Sequence, residues 1–275
     1  MLRHSSLVAG GILVLAVIIC AIFAPHLAPY NPLVGHLADR LDPPSWVAGG
    51  SHTHFLGADA VGRDLFSRII YGTRISLLVG FTSAAASAVI GTALGMFAAY
   101  YGGMAETVVM RLVDLVLAFP FILLAIMIVA ILGPGLSKII FVLAATQWAG
   151  FARIVRGETL SMKEREFVEA ARALGLKGWR VMIRHILPNI ASSIIVLFTI
   201  AVAVNILAES SLSYLGLGVD PRIPTWGGML AEGQLYITTA WWVATFPGIA
   251  IMLTVMGFNL IGDWLRDKID PKYRV

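Results

Sequence analysis

The stretch Glu169-Ala170-Ala171-Arg172-Ala173-Leu174-Gly175, closed further on by Leu187-Pro188, decides how this chain is read. It lies in a polar, strongly basic segment between two long apolar spans. A membrane protein that places such a helix on its cytoplasmic side has a surface for docking a soluble partner. No P-loop pattern (G-x4-G-K-[ST]) occurs in the sequence, so the chain has no nucleotide-binding motif of its own. That partner is therefore expected to be the engine.

Working outward, the 275 residues are 58% hydrophobic and only 13% charged, with a mean hydropathy of +0.84. Soluble domains carry about 25% charged residues. Apolar runs long enough to cross a hydrocarbon core of about 30 Å recur along the chain. None shows the ten-residue alternation of a membrane β-barrel. The expected class is an all-α polytopic membrane protein with about six transmembrane helices. Hydropathy puts the spans near 7–24, 75–100, 112–132, 139–152, 190–208 and 241–262. The fourth is interrupted by Gln147 and Trp148 and ends at Arg153, so a five-span arrangement stays open. Pro120 and Pro247 are expected to kink their spans. The first span is long for a signal-peptide core, and Ala24-Pro25-His26 makes a poor cleavage site, so it reads as a retained helix.

The net charge of +4 is not read as a nucleic-acid signal, because most charges border apolar spans. With the N-terminus inside, the inner segments hold Arg3, Arg111, the run from Arg153 to Arg184, and the basic residues after Gly262. The outer segments hold only Arg40, Arg63, Arg68, Arg74, Lys138 and Arg222. This asymmetry follows the positive-inside rule and puts both termini and the 156–188 loop in the cytoplasm. The expected organisation is a first helix and extracytoplasmic segment over 1–72, a transmembrane domain over 73–263, and a cytoplasmic tail over 264–275. The single cysteine, Cys20, rules out an intrachain disulfide.

Within the loop, Ser161 and Glu164 have capping-box spacing, predicting a helix start near Met162. Phe167, Ala170, Ala171 and Leu174 fall at i, i+3, i+4 and i+7, one apolar stripe beside Glu169. Gly175 is a natural helix stop. A second amphipathic segment is expected from Trp179 to Leu187, ended by Pro188. Physics alone leaves two readings, a docking element or an amphipathic hairpin lying on anionic lipid.

The spacing of Glu169-Ala170-Ala171, Gly175 and Leu187-Pro188 resembles the EAA loop of ATP-binding-cassette importer permeases. His185-Ile-Leu-Pro-Asn189, where the general pattern prefers isoleucine at 185, is similar to the dipeptide, oligopeptide and nickel branch. So are two further segments. One is Leu56-Gly57-Ala-Asp59-Ala-Val-Gly62-Arg63-Asp64 with Ser67-Arg68. The other is Glu209-Ser-Ser-Leu-Ser213-Tyr-Leu-Gly216-Leu-Gly218 with Pro224-Thr-Trp226-Gly227. The resemblance implies a type I importer permease fold, with Phe167, Glu169, Ala170, Ala171, Leu174 and Gly175 on a coupling helix that seats on the ATPase. It implies a second homologous permease, two cytoplasmic ATPase subunits and an external solute-binding protein, in a bacterial or archaeal plasma membrane. ATP and Mg²⁺ would belong to the partners, with no cofactor, metal or catalytic residue in this chain. Short peptides are the first choice of cargo, with nickel or a nickel chelate as the alternative.

Polar groups at membrane depth are costly and so invite a functional reading. Gln147, Asn205 and Glu209 are the candidates for the translocation path; Asp114 and Asn259 read as caps or interhelical bonds. Scarce intramembrane charge weighs against the rival of an ion-gradient-driven transporter. His52 and His54 read as solvated loop histidines, and the 54–68 segment as a short amphipathic helix. Gly80, Ala84, Ser87, Gly91 and Gly95 form a small-residue stripe suited to close helix packing, with its partner left open.

Overall fold

The computed structural model describes residues 2–50 and 52–269. The tail beyond 269, with Lys272 and Arg274, lies outside the described residues. The chain is built from helices α1 (Leu2–Ile22), α2 (Ala24–Leu27), α3 (Leu65–Tyr101), α4 (Gly103–Ala118), α5 (Phe121–Leu132) and α6 (Leu136–Lys163). Then follow α7 (Glu166–Ala173), α8 (Gly178–Val181), α9 (Leu187–Tyr214), α10 (Trp226–Gln234) and α11 (Trp242–Ile269). Two isolated β-bridges, Gly35 to Arg63 and Ala58 to Asp64, pin the segment before α3.

Among the described residues, four helices are long and apolar enough to cross a membrane: α3, α6, the continuous helix Gly178–Tyr214, and α11. α4 and α5 qualify only as a pair, bent by 94° at their junction. The shorter apolar α1 lies against α11. The bend has a simple cause. Pro120 pushes the residue before it out of the helical region, and Phe119 sits at φ −90°, ψ 136°.

α3 is the centre of the molecule, packing along α6 and α9. The small-residue stripe makes this possible, and its partners lie within the chain. A Cβ on Gly91 would come within 2.4 Å of the Phe151 Cβ and 2.5 Å of the Trp148 carbonyl oxygen. One on Gly95 would meet the Ala152 carbonyl at 2.4 Å. Only hydrogen fits at these contacts, which let backbones approach and gain dispersion that lipid cannot supply. Leu65, Ala84, Val202, Ile206, Trp226, Met229 and Val243 form the main core beside this seam.

Three local expectations change. Residues 54–64 form turns and isolated bridges instead of an amphipathic helix, because Gly57 and Gly62 take φ of +84° and +76°. The helix begins at Leu65, where Asp64 caps it by accepting from the Ser67 N–H at 2.8 Å. Ser161 and Glu164 do not start a helix, since α6 runs through to Lys163 and the next helix begins at Glu166. Finally, Pro188 does not end the segment before it. Residues 182–186 form a π turn in which the Leu187 N–H reaches the Met182 carbonyl. The widened turn absorbs the hydrogen bond a proline cannot donate, so the helix continues from Gly178 to Tyr214.

Candidate functional site

α7 is an eight-residue helix whose two faces differ. Val168 and Ala171, three apart, are buried in a cluster with Met96, Val155, Val181 and Ile186. The opposite side presents Phe167, Ala170 and Leu174, the last 81% exposed, with Glu169 beside them. Ala171, expected on the same stripe, therefore anchors the helix while Phe167, Ala170 and Leu174 are displayed.

The helix stops in a Schellman turn. Leu176 donates to Ala171 O at 3.2 Å and Gly175 donates to Arg172 O at 2.9 Å, with Gly175 at φ +75°. No atom lies within 4 Å of where a Gly175 Cβ would stand, so the constraint is conformational. The turn is braced from behind. The Arg172 guanidinium lies 4.9 Å from the centre of the Tyr100 ring, and Lys163 Nζ donates to Ala99 O at 3.3 Å. Arg156 Nε donates to Glu106 Oε1 at 2.6 Å, tying α6 to α4. α7 thus sits on a fixed base with an apolar face that nothing in the described chain covers.

The path candidates are placed as follows. Asn205 and Glu209 are fully buried between α9 and α3. Asn205 Nδ2 donates to Ser83 Oγ at 2.8 Å. Glu209 accepts from Ser213 Oγ at 2.7 Å and from Ser76 and Ser210 at 3.4 Å. Gln147 is half-buried on α6. Asp114 pairs with Arg153 at 2.5 Å on an exposed face joining α4 to α6.

The far end of the bundle carries a network to which the sequence reading assigned no role. Arg68, 1% exposed, pairs with Asp59 and with Glu232 on α10, at 2.7 Å and 3.2 Å to the two Glu232 oxygens. Arg63 pairs with Asp59 at 2.6 Å and with Glu232 at 3.0 Å. Burial works to raise the Asp59 pKa. The Arg68 and Arg63 charges and the N–H groups of Arg63 and Val61 outweigh it, leaving the carboxyl below its ordinary value. The sequence carried no local signal for this pairing, because Arg68 and Glu232 stand 164 residues apart in the chain. His54 also departs from expectation. It is buried, with Nδ1 at 3.0 Å from Asp64 and Nε2 at 3.5 Å from Asp39, while His52 stays exposed. Among the described residues no group of three or more His, Cys, Asp or Glu is arranged to hold a metal.

A bundle of long apolar helices with a short exposed helix at one end and an ion-paired opposite end has the build of a multi-pass membrane protein. Comparison with known proteins makes this specific. Residues 91–275 match the model of the binding-protein-dependent transport system inner membrane component, and residues 1–44 match the N-terminal transmembrane domain of oligopeptide transport permease C. The chain is 45% identical over 273 residues to a glutathione transport system permease protein of Pectobacterium atrosepticum, covering 99% of this chain and 89% of that one. It is 42% identical over 272 residues to a di/tripeptide transport system permease protein of Pseudomonas aeruginosa (98% and 90% covered). Against a dipeptide transport system permease protein of Alkalihalophilus pseudofirmus it is 43% identical over 272 residues (99% and 88%). The chain belongs to the binding-protein-dependent inner membrane permease family. It is the permease subunit of an ATP-binding-cassette importer, a transport component and not an enzyme.

Proposed function

We propose that the chain forms half of a pathway importing short peptides, with α7 as the helix that receives force from a cytoplasmic ATPase. The observation that carries the coupling role is the uncovered face of Phe167, Ala170 and Leu174 on a helix otherwise anchored by Val168 and Ala171. An apolar face of this kind at the end of a membrane bundle fits a groove on a soluble partner. Glu169 and Arg172 flank it with opposite charges, and Gly175 fixes the angle at which the chain leaves.

The peptide cargo is supported by the relatives, which are glutathione, di/tripeptide and dipeptide transport permeases. Nickel chelates remain the alternative within the same architecture. In this reading the α7 end and both termini face the cytoplasm, and the α10 end faces an external binding protein. A second, related permease would complete the pathway and two ATPases would sit beneath it. Gln147 would face the path, whereas Asn205 and Glu209 would shape it by holding α9 to α3. The domain boundaries then follow function, with 1–72 external beyond the first helix, 73–263 conducting, and 156–188 coupling.

The test is uptake of labelled dialanine by the transporter reconstituted with its binding protein and ATPases. ATP-dependent uptake that is lost on emptying the ATP pool is expected. Uptake that survives ATP depletion but collapses with the ion gradient would favour a gradient-driven transporter. Uptake of a nickel chelate with none of dialanine would move the cargo to the alternative.

A further inference from the structure

A cavity of about 680 Å³ opens at the α10 end between the α5–α6 turn, the C-terminal end of α9 and the loop that leads to α10. That volume is in the range of small-molecule sites. Its wall includes Gly135, Ser213, Gly218, Thr225, Arg68 and Glu232. Two features of this wall bear on what it could hold.

The first is the way Glu232 sits. Its two carboxylate oxygens meet the two terminal nitrogens of Arg68, in the parallel fork geometry by which a guanidinium recognises any carboxylate. Glu232 also takes Arg63 at 3.0 Å, but its side chain keeps 30% of its surface exposed at the cavity edge, so it is the least enclosed member of the network. Arg68 is different. It is 1% exposed and held from behind by Asp59, which also takes Arg63 and two backbone N–H groups. The receptor is rigid and the carboxylate on it is the movable member.

The second feature is independent of that pair. The Nε–H of Arg68 is buried and has no acceptor. A buried donor without an acceptor costs free energy, so a site that leaves one open is incomplete without a further acceptor. Charges also close in a way that admits an exchange. Arg63 and Arg68 balance Asp59 and Glu232, so one carboxylate can replace another on Arg68 without leaving a net charge buried.

We infer that this cavity binds the carboxylate end of a small solute, which takes the place of Glu232 on Arg68. Glu232 is then a resident stand-in, and its release removes the ion pair, though not the Trp226–Ile69 hydrogen bond, that ties α10 to the entrance of α3. The glycine-rich loop around Gly216 and Gly218, beside Thr225, would contact the body of the solute. For the choice of probe, the inference rests on the peptide-import reading, since every peptide with a free C-terminus carries this group.

The test uses the full permease and ATPase complex in lipid nanodiscs without binding protein, titrated with dialanine and with its C-terminal amide. Glu232→Gln keeps the shape and one acceptor while removing the competing charge. It should tighten dialanine binding by about ten-fold and leave the amide unchanged. Ala231→Leu, which keeps every ion pair and fills the cavity, should abolish that gain in the double variant. Equal binding of acid and amide, or no change in Glu232→Gln, overturns the site. Acetate separates this from the cargo question. If the wild-type transporter takes up no dialanine at all, the peptide reading fails. Tighter acetate binding by Glu232→Gln would still uphold the carboxylate site, and unchanged acetate binding would remove it.

Discussion

At the α10 end, Arg68, Trp226 and Trp242 are buried, with indole N–H groups given to the Ile69 and Ala58 carbonyls. At the α7 end, Phe167, Ala170 and Leu174 stand open on a helix of two turns. The first region spends its side chains on holding itself together. The second uses Val168, Ala171 and the Arg172–Tyr100 contact only as a base, and leaves its other face without a partner among the described residues. The difference separates an end that the fold itself ties together from one that it leaves open.

The glycines make the same contrast at single-residue scale. Gly91 and Gly95 touch the backbone of α6, whereas a Cβ at Gly175 would meet nothing and the residue is used for its positive φ. Substitution at the two kinds of site should therefore fail in different ways.

The largest effect is expected from Arg68→Ala. It leaves Asp59 and Glu232 short of a cation, one of them fully buried, and should cost about 3–5 kcal/mol. Thermal unfolding of the purified complex would read this. A loss under about 1 kcal/mol would mean that the α10 end is looser than described.

Gly91→Ala comes next. The added methyl meets Phe151 and the Trp148 carbonyl, and overpacking of this kind costs about 1–3 kcal/mol. Lower yield and a lower melting temperature are expected, with normal uptake per folded molecule. Uptake lost at full stability would instead put Gly91 at a moving interface.

Gly175→Ala should cost about 1–2 kcal/mol locally, because an L-residue is strained at φ +75°. The bundle should keep its stability while uptake falls, and Gly175→Asn, which tolerates this region better, should retain more transport. Equal uptake by the alanine variant and wild type would detach the turn from coupling.

The class and the bundle were legible in the sequence because apolar length and charge asymmetry report directly on lipid. The helix stop at Gly175 was legible because one residue type suits that φ. Other features depend on distant contacts and were not. The Pro188 expectation failed because a π turn two residues earlier absorbed the missing donor. The 54–68 segment reads as amphipathic, yet Gly57 and Gly62 at positive φ and the Asp64 cap turn it instead. The Arg68 network joins residues 164 apart in the chain, a distance over which no local pattern speaks. The stripe on α3 named a close-packed face, but only the fold assigns it to α6 and α9.

The most direct test concerns the open face of α7. Leu174, 81% exposed, can be replaced by a photo-crosslinking benzoylphenylalanine with little effect on stability. In native membranes containing the assembled transporter, illumination should join residue 174 to an ATPase subunit, with a yield that changes when ATP is trapped. Adducts confined to phospholipid, or to a protein on the opposite side of the membrane, would contradict the account.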